Sequence, residues 1–218
     1  MENLLSMKSL PDYVEYLTWN DGPESHYIGN IWSEQNSDED PGRYANSQFD
    51  HKGWQPLLTY FIVAFKNKKR ASGMRPPSGQ VAIGAMWYKV TLQVIVCPYP
   101  DATQYTKKPS GFAAPDQMVW AVVVSEAAAG TIIVASMGGV EVGRQTAVAG
   151  LNYGTASIGA GFPKLVFGFL EAGGGRCVTS ECPDCIFNMN PQVLGLTAGT
   201  KADGLCPTTL YAGAGGLL

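Results

Sequence analysis

Two carboxylate side chains lie three positions apart in the stretch TWNDGPESHYIG, residues 18–29. Asp21 and Glu24 flank a Gly-Pro pair, with Trp19 before them and His26 after them. Two carboxylates held in different surroundings can serve as the general acid and the general base of one reaction. The same spacing is also typical of a surface turn, because Asn, Asp, Gly and Pro are the usual turn-forming residues. The residues alone leave both interpretations open.

The elements around this stretch predict how it is positioned. Residues 2–10 predict the end of a helix, and DYVEYLTW (12–19) predicts a β-strand that ends at the turn. Residues 29–50 are polar and irregular. A helix is predicted over 53–66, with Pro56 in its first turn. Its apolar residues follow the spacing of one buried face: Trp54, Leu57, Leu58, Phe61, Ile62 and Phe65.

The hydrophobic period changes from helical to strand-like after residue 75. Five short β-type runs are separated by Gly, Pro or Asn, which predicts an antiparallel β-sandwich or barrel with Trp87 and Trp120 in its core. These runs are QVAIGAMWYKVTLQVIV, MVWAVVVS, GTIIVAS, KLVFGFLE and CIFNMN. We therefore divide the chain into residues 1–74 and 75–218. One strand and one amphipathic helix cannot enclose a core, so the first part is predicted to be the last β/α unit of a larger α/β domain.

Composition excludes several classes of protein. The formal net charge is −3, and KNKKR at 66–70 is the longest basic run, which argues against a nucleic-acid partner. Apolar runs such as VWAVVV at 119–124 are far shorter than the roughly 20 residues of a membrane span. The N-terminus lacks the apolar core of a signal peptide. We expect a monomer without a cofactor.

Four of the five cysteines are close together near the end of the chain. Cys177, Cys182, Cys185 and Cys206 have the spacing C-x4-C-x2-C-x20-C, and Cys97 lies apart. CPDC resembles half of a zinc ribbon, but a second CxxC pair is missing from the sequence. Disulfides of an exported domain, a zinc site and free buried thiols all remain open, and no metal ligand is assigned.

Two motifs resemble glycoside hydrolase family 71, the fungal α-1,3-glucanases or mutanases. The first, residues 18–29, is similar to the WNDYGESHYIG signature at the end of the family's last barrel strand. The second, DHKGW at residues 50–54, is similar to the DH-x-GW signature that opens its last helix. The runs beyond residue 75 resemble the family's C-terminal β-sandwich. The resemblance implies the end of a (β/α)8 barrel followed by that sandwich.

The family likeness implies a secreted, inverting endo-hydrolase whose substrate is the polysaccharide α-1,3-glucan of fungal cell walls. Its essential acidic residues correspond to Asp21 and Glu24, and a further acidic residue from an early barrel strand has no counterpart here. Inverting hydrolysis needs two carboxyl groups roughly 6.5–9.5 Å apart. We favour Glu24 as acid and Asp21 as base, although the exchanged assignment is equally consistent with the residues.

Candidate substrate contacts surround the pair. Trp19 is predicted to stack on a sugar ring or to pack in the core. His26 is predicted to contact a sugar hydroxyl or to steady a carboxylate, with a structural hydrogen bond as the alternative. Tyr27 is predicted to bind substrate. His51 is predicted to contact substrate or to lie beside a helix cap made by Asp50.

Two features depart from the family pattern, and the proline of the first is expected to alter the geometry between Asp21 and Glu24. Gly22-Pro23 replaces Tyr-Gly between the carboxylates, and residues 90–97 form an insertion. Together with a start inside the barrel, the insertion suggests a missing upstream exon and a retained intron. We therefore expect a fragment that is inactive alone. The alternative function is a non-catalytic carbohydrate-binding or wall-associated β module.

Overall fold

The computed structural model describes residues 1–17, 19, 27–29, 49–95, 113–179 and 191–199. The helices in this part are α1 (Glu2–Leu5) and α2 (Gln55–Lys66), with 3₁₀ turns at Lys52–Trp54, Ala71–Gly73 and Glu126–Ala128. The strands are β1 (Ala82–Lys89), β2 (Gln117–Val124), β3 (Ile132–Met137), β4 (Val140–Thr146), β5 (Gly150–Ser157), β6 (Pro163–Phe167), β7 (Leu170–Ala172), β8 (Pro191–Gly195) and β9 (Thr197–Ala198).

These strands form two antiparallel sheets. The first sheet has the order β5-β2-β1-β8, and the second sheet has the order β4-β3-β6-β7-β9. At the centre of the first sheet, β1 pairs with β2 from Ala82 opposite Val124 to Tyr88 opposite Met118. The predicted antiparallel β architecture is confirmed, as two open sheets.

The main core lies between the two sheets. Met86, Trp120 and Val122 of the first sheet form one buried cluster with Ile133 and Phe167 of the second. Burial of such a set of large apolar side chains removes much apolar surface from water, which is the main force that holds two sheets together. The predicted core position of Trp120 is confirmed.

The opposite face of the first sheet is covered by α2. Ile83, Ala85 and Val123, which alternate with main-core residues along β1 and β2, form a second cluster with Leu57 and Phe61 of α2. We call this the outer cluster. It explains the apolar stripe of the helix, whose buried positions are Leu57, Phe61 and Ala64. The predicted helix is confirmed, but Ile62 is 40% exposed and does not belong to the buried face.

The N-terminal segment differs from its prediction. The helix covers only Glu2–Leu5 rather than residues 2–10, and residues 13–17 have no regular secondary structure. The predicted strand at 12–19 is therefore wrong for residues 13–17. A strand needs a neighbour for its hydrogen bonds, and no described strand pairs with this segment. Instead, the Tyr16 ring packs edge-on against Phe61 of α2, with centroids 5.8 Å apart.

The segment after β1, part of the predicted insertion, packs into the main core. Val90, Leu92 and Ile95 are buried there. The carboxylate of Asp116 accepts the backbone N–H of Gln93 at 3.1 Å and forms an ion pair with Lys89 at 3.0 Å. The run CIFNMN and residues 96–97 lie outside the described residues. Among the described residues, neither helix is long and apolar enough to cross a lipid bilayer.

Candidate functional site

The predicted catalytic residues Asp21 and Glu24 and the predicted contact His26 lie outside the described residues. The structure does describe both ends of the first motif. The backbone N–H of Gly29 donates to the backbone oxygen of Trp19 at 2.7 Å. This bond joins Trp19 to Gly29, which lie near the two ends of the motif in the sequence.

Gly29 is required by the position of Trp19. A Cβ atom at residue 29 would overlap the indole ring of Trp19, which lies directly against the glycine backbone. The Trp19 side chain is 54% exposed, so one part of its ring remains open to a ligand. The structure therefore places Trp19, near the start of the motif, on the surface rather than in the core.

Tyr27 and His51 join the two motifs. Both side chains are completely buried. The Tyr27 hydroxyl donates to the backbone oxygen of Phe49. The Nδ1 atom of His51 lies 2.7 Å from the backbone oxygen of Tyr27. The end of the first motif thus rests on the start of the second, and neither ring is exposed to a ligand in this arrangement.

His51 also reaches the β-sheet. Its Nε2 atom lies 3.0 Å from the backbone oxygen of Pro191, the first residue of β8. Through these two contacts the His51 ring connects Tyr27 of the first motif to the edge strand β8.

Asp50 and Gly53 of the second motif, and Gln55 directly after it, also have structural roles. Asp50 accepts the backbone N–H of Lys52 at 2.8 Å, so it stabilises the turn that opens α2. Gly53 lets that turn approach β8, since a Cβ atom there would lie 2.9 Å from the backbone nitrogen of Gly195. Gln55 donates to the backbone oxygen of Ile28 at 3.0 Å, which adds another bond between the motifs.

An aromatic cavity lies next to this joint and was not predicted. Trp54 meets Trp87 edge to face, with centroids 5.7 Å apart. The predicted sandwich-core position of Trp87 is wrong, because its side chain lies on the outer face of the first sheet and lines a cavity of about 500 Å³. The period of two along β1 places Trp87 on the same face as Ala85 of the outer cluster.

Cys177 is disulfide-bonded. The other four cysteines lie outside the described residues, so the pairing stays open. Across the described ranges, no group of three or more His, Cys, Asp or Glu side chains could hold a metal ion.

Comparison with known proteins identifies the family. The model of glycosyl hydrolase family 71 matches residues 1–205, which include both motifs. The chain belongs to glycosyl hydrolase family 71. The predicted family 71 resemblance is confirmed, and with it membership of a glycoside hydrolase family.

Two curated relatives support this family 71 assignment. A mutanase of Penicillium rubens is 35% identical over 96 residues, which cover 44% of this chain and 20% of the relative. The glucan endo-1,3-alpha-glucosidase of Schizosaccharomyces pombe is 37% identical over 81 residues, which cover 37% of this chain and 17% of the relative. The matches therefore span about a fifth of these relatives. No solved structure matches this family 71 chain.

Proposed function

We propose that this chain is the C-terminal part of an inverting, endo-acting hydrolase of α-1,3-glucan in fungal cell walls. The observation that carries the proposal is the family match over residues 1–205, which contains both motifs. The names of two relatives, a mutanase and a glucan endo-1,3-alpha-glucosidase, support the substrate class.

The proposed chemistry uses the two carboxyl groups of the first motif. Glu24 protonates the departing glycosidic oxygen, while Asp21 takes a proton from the water that attacks the anomeric carbon from the opposite face. A separation of roughly 6.5–9.5 Å between the two groups leaves room for that water. The product then has the inverted, β configuration.

The other predicted site residues take different roles in this proposal. The exposed ring of Trp19 stacks on a sugar unit. His26 contacts a sugar hydroxyl. Tyr27 and His51 act as positioning residues, because they are buried and their polar atoms hold the two motifs together. A carboxylate carried on a firmly held loop keeps its geometry during reaction.

We also propose that residues 1–74 are the last β/α unit of a (β/α)8 barrel and that residues 75–218 are the C-terminal β-sandwich domain. In such barrels the active site is assembled from the loops of several strands. The chain would then be inactive alone, and the longer parent would be a secreted monomer. The docked helix α2 supports an intimate contact between the two parts.

A non-catalytic carbohydrate-binding module is the second candidate. The specific observation in its favour is the cavity on the outer face of the first sheet, which is lined by Trp54 and Trp87. Aromatic faces are suitable for stacking on sugar rings, and this site needs no catalytic carboxylate.

A reducing-sugar assay on insoluble α-1,3-glucan tests the proposal. We would compare this chain with a longer form that carries the upstream coding sequence. Hydrolysis by the longer form alone, and its loss in Glu24→Gln or Asp21→Asn, is the expected result. Proton NMR of the first products should show the β-anomer. Pull-down by glucan without hydrolysis in either form would instead favour the binding module.

Hydrolysis of an activated substrate shows which of the two residues is the general acid and which is the general base. If Glu24 is the acid, the Glu24→Gln form of the longer protein should retain much more activity on a 2,4-dinitrophenyl α-1,3-gluco-oligosaccharide than on glucan. A good leaving group needs no protonation. Asp21→Asn should be impaired on both substrates, since the attacking water still needs a base. The reverse pattern would exchange the two assignments.

A further inference from the structure

Arg176, which follows strand β7 in the sequence, reaches the joint between the two family motifs. Its guanidinium carbon lies 4.8 Å from the centroid of the Phe49 ring, which is the geometry of a cation–π contact. The backbone oxygen of Phe49 accepts the Tyr27 hydroxyl. A cation from the β-sheet part of the chain therefore contacts the residue that holds the end of the first motif.

The backbone of Arg176 is fixed by its neighbours. Its N–H donates to the Gln192 side chain at 3.2 Å, and its carbonyl oxygen accepts the Tyr88 hydroxyl at 2.7 Å. Gly175 permits this approach, because a Cβ atom there would lie 2.6 Å from the Tyr88 hydroxyl oxygen. Cys177, the next residue, is disulfide-bonded. The guanidinium is thus carried by a firmly held segment.

The same strand end supports Arg176 and His51. Gln192, which accepts the Arg176 N–H, is the second residue of β8, and its side chain is buried. Pro191, the first residue of β8, has its backbone oxygen 3.0 Å from Nε2 of His51. The joint is therefore held from one end of β8 by both the imidazole and the guanidinium.

This joint lies close in the sequence to the proposed acid. Glu24 precedes Tyr27 by three residues, which span at most about 11 Å even when fully extended. A shift of Tyr27 is therefore passed on to the loop that carries the two carboxylates. A misplacement of about 1 Å can lower a reaction rate about a hundredfold. The contacts that hold Tyr27 thus bear on the rate of the proposed reaction.

We propose that Arg176 is a positioning residue for the proposed hydrolysis. Through Phe49 and Tyr27, its guanidinium holds the loop of the first motif in place. This inference rests on the proposed function. The cation–π attraction requires a positive charge at residue 176, whereas the burial of Phe49 in the main core does not. Removal of the charge alone should therefore loosen the loop while the fold persists.

Amide exchange in the 218-residue chain tests this coupling without any substrate. The N–H of Gly29 donates to Trp19, so its exchange rate, measured by NMR, reports the order of the first motif. Arg176→Met keeps an apolar side chain and removes the charge, so Gly29 should exchange about three- to tenfold faster. Arg176→Lys retains a cation and should restore most of the protection. The matched control is Arg144→Met, at an exposed arginine of β4, which should leave the exchange unchanged.

Kinetics of the longer form on soluble α-1,3-gluco-oligosaccharides tests the consequence for hydrolysis. Arg176→Met should lower kcat about tenfold with little change in KM, because the placement of the carboxylates is disturbed rather than substrate binding. Arg176→Lys should recover most of this loss. A purely structural role would instead lower the melting temperature and leave kcat of the folded protein unchanged.

The two experiments fail in different ways. Equal Gly29 exchange rates in Arg176→Met and Arg144→Met would overturn the proposal, as would a lack of rescue by Arg176→Lys. If exchange responds as expected but the unsubstituted longer form does not hydrolyse the substrate, the coupling stands and the proposed enzyme is contradicted. If the longer form hydrolyses the substrate and Arg176→Met leaves kcat unchanged, the positioning role alone is contradicted.

Discussion

The rings of Tyr27 and His51 are stacked, with centroids 3.8 Å apart and planes only 2° apart. This pair connects residues that are far apart in the sequence, because His51 also bonds to Pro191, 140 positions later. Two family motifs and one edge strand therefore meet at a single buried imidazole. The residues that carry the family likeness thus hold the fold together in addition to any role in chemistry.

Removal of the imidazole should destabilise the protein. His51→Ala deletes a buried ring and its hydrogen bonds to Tyr27 and Pro191, so we expect a loss of about 2–4 kcal/mol in the free energy of unfolding. Urea unfolding followed by circular dichroism measures this change. Lys52→Ala is the control, since Lys52 is exposed and its ion pair with Asp50 lies at the surface. Equal losses in the two variants would contradict a structural role for His51.

Adjacent positions of α2 should respond very differently to truncation. Phe61 is 1% exposed in the outer cluster, whereas Ile62 is 40% exposed. Phe61→Ala should cost about 3–5 kcal/mol of unfolding free energy. Ile62→Ala should stay within about 1 kcal/mol, because it buries little apolar surface. Chemical denaturation of both variants is a direct measurement. Similar costs would mean that the helix is not docked on the sheet as described.

A methyl group at Gly29 should displace Trp19. Gly29→Ala places a Cβ atom where the indole ring lies, so the ring must move outward. We expect a loss of about 1–3 kcal/mol and greater quenching of Trp19 fluorescence by acrylamide. In the Trp19→Ala background the same change should cost much less, which a double-mutant cycle would show. An unchanged cost in that background would exclude the contact.

Alkaline pH should weaken the fold through Tyr16. Burial raises its pKa from 10.0 to about 12. Between these values the unfolded chain loses the phenol proton while the folded chain keeps it. The folded state then binds more protons, so stability falls as the pH rises through this window. The loss should be on the order of 1–2 kcal/mol, since Tyr16 is only partly buried. It should be absent below about pH 10.

The Tyr16→Phe variant isolates this effect. Urea unfolding at about pH 9 and about pH 11.5 gives the change in unfolding free energy of each protein between the two pH values. This loss should be larger for the wild-type chain than for Tyr16→Phe. Other tyrosines and the lysines contribute equally to both proteins and cancel in the comparison. Parallel pH profiles would show that the Tyr16 phenol is not protected by burial.

Elements with strong hydrophobic periodicity were predictable from the sequence. The apolar spacing around Phe61 predicted α2, and the aliphatic runs predicted β1, β2, β3 and β6. By contrast, β4 and β5 escaped prediction because they are edge strands with many exposed side chains, such as Val140 and Tyr153. An edge strand buries only part of one face, so its residue pattern carries little signal.

The site was predictable only at the level of its motifs. The family resemblance selected Trp19, Tyr27 and His51, but the burial of Tyr27 and His51 depends on Phe49 and on the distant Pro191. Contacts between residues so far apart in the sequence cannot be predicted from a local sequence pattern. The face on which Trp87 lies was not predictable from polarity, since both faces of this sheet are covered and its central strands are apolar on both sides.

Strands β1 and β2 contribute one face to the main core and the other face to the outer cluster, so both clusters depend on the same two strands. Detachment of α2 would expose Ile83, Ala85 and Val123 of these strands to water, so the stability of the helix and that of the sheets are thermodynamically linked. The central amides of β1 should then exchange with deuterium only through complete unfolding of the molecule. We therefore expect the N-terminal part and the two β-sheets to unfold together.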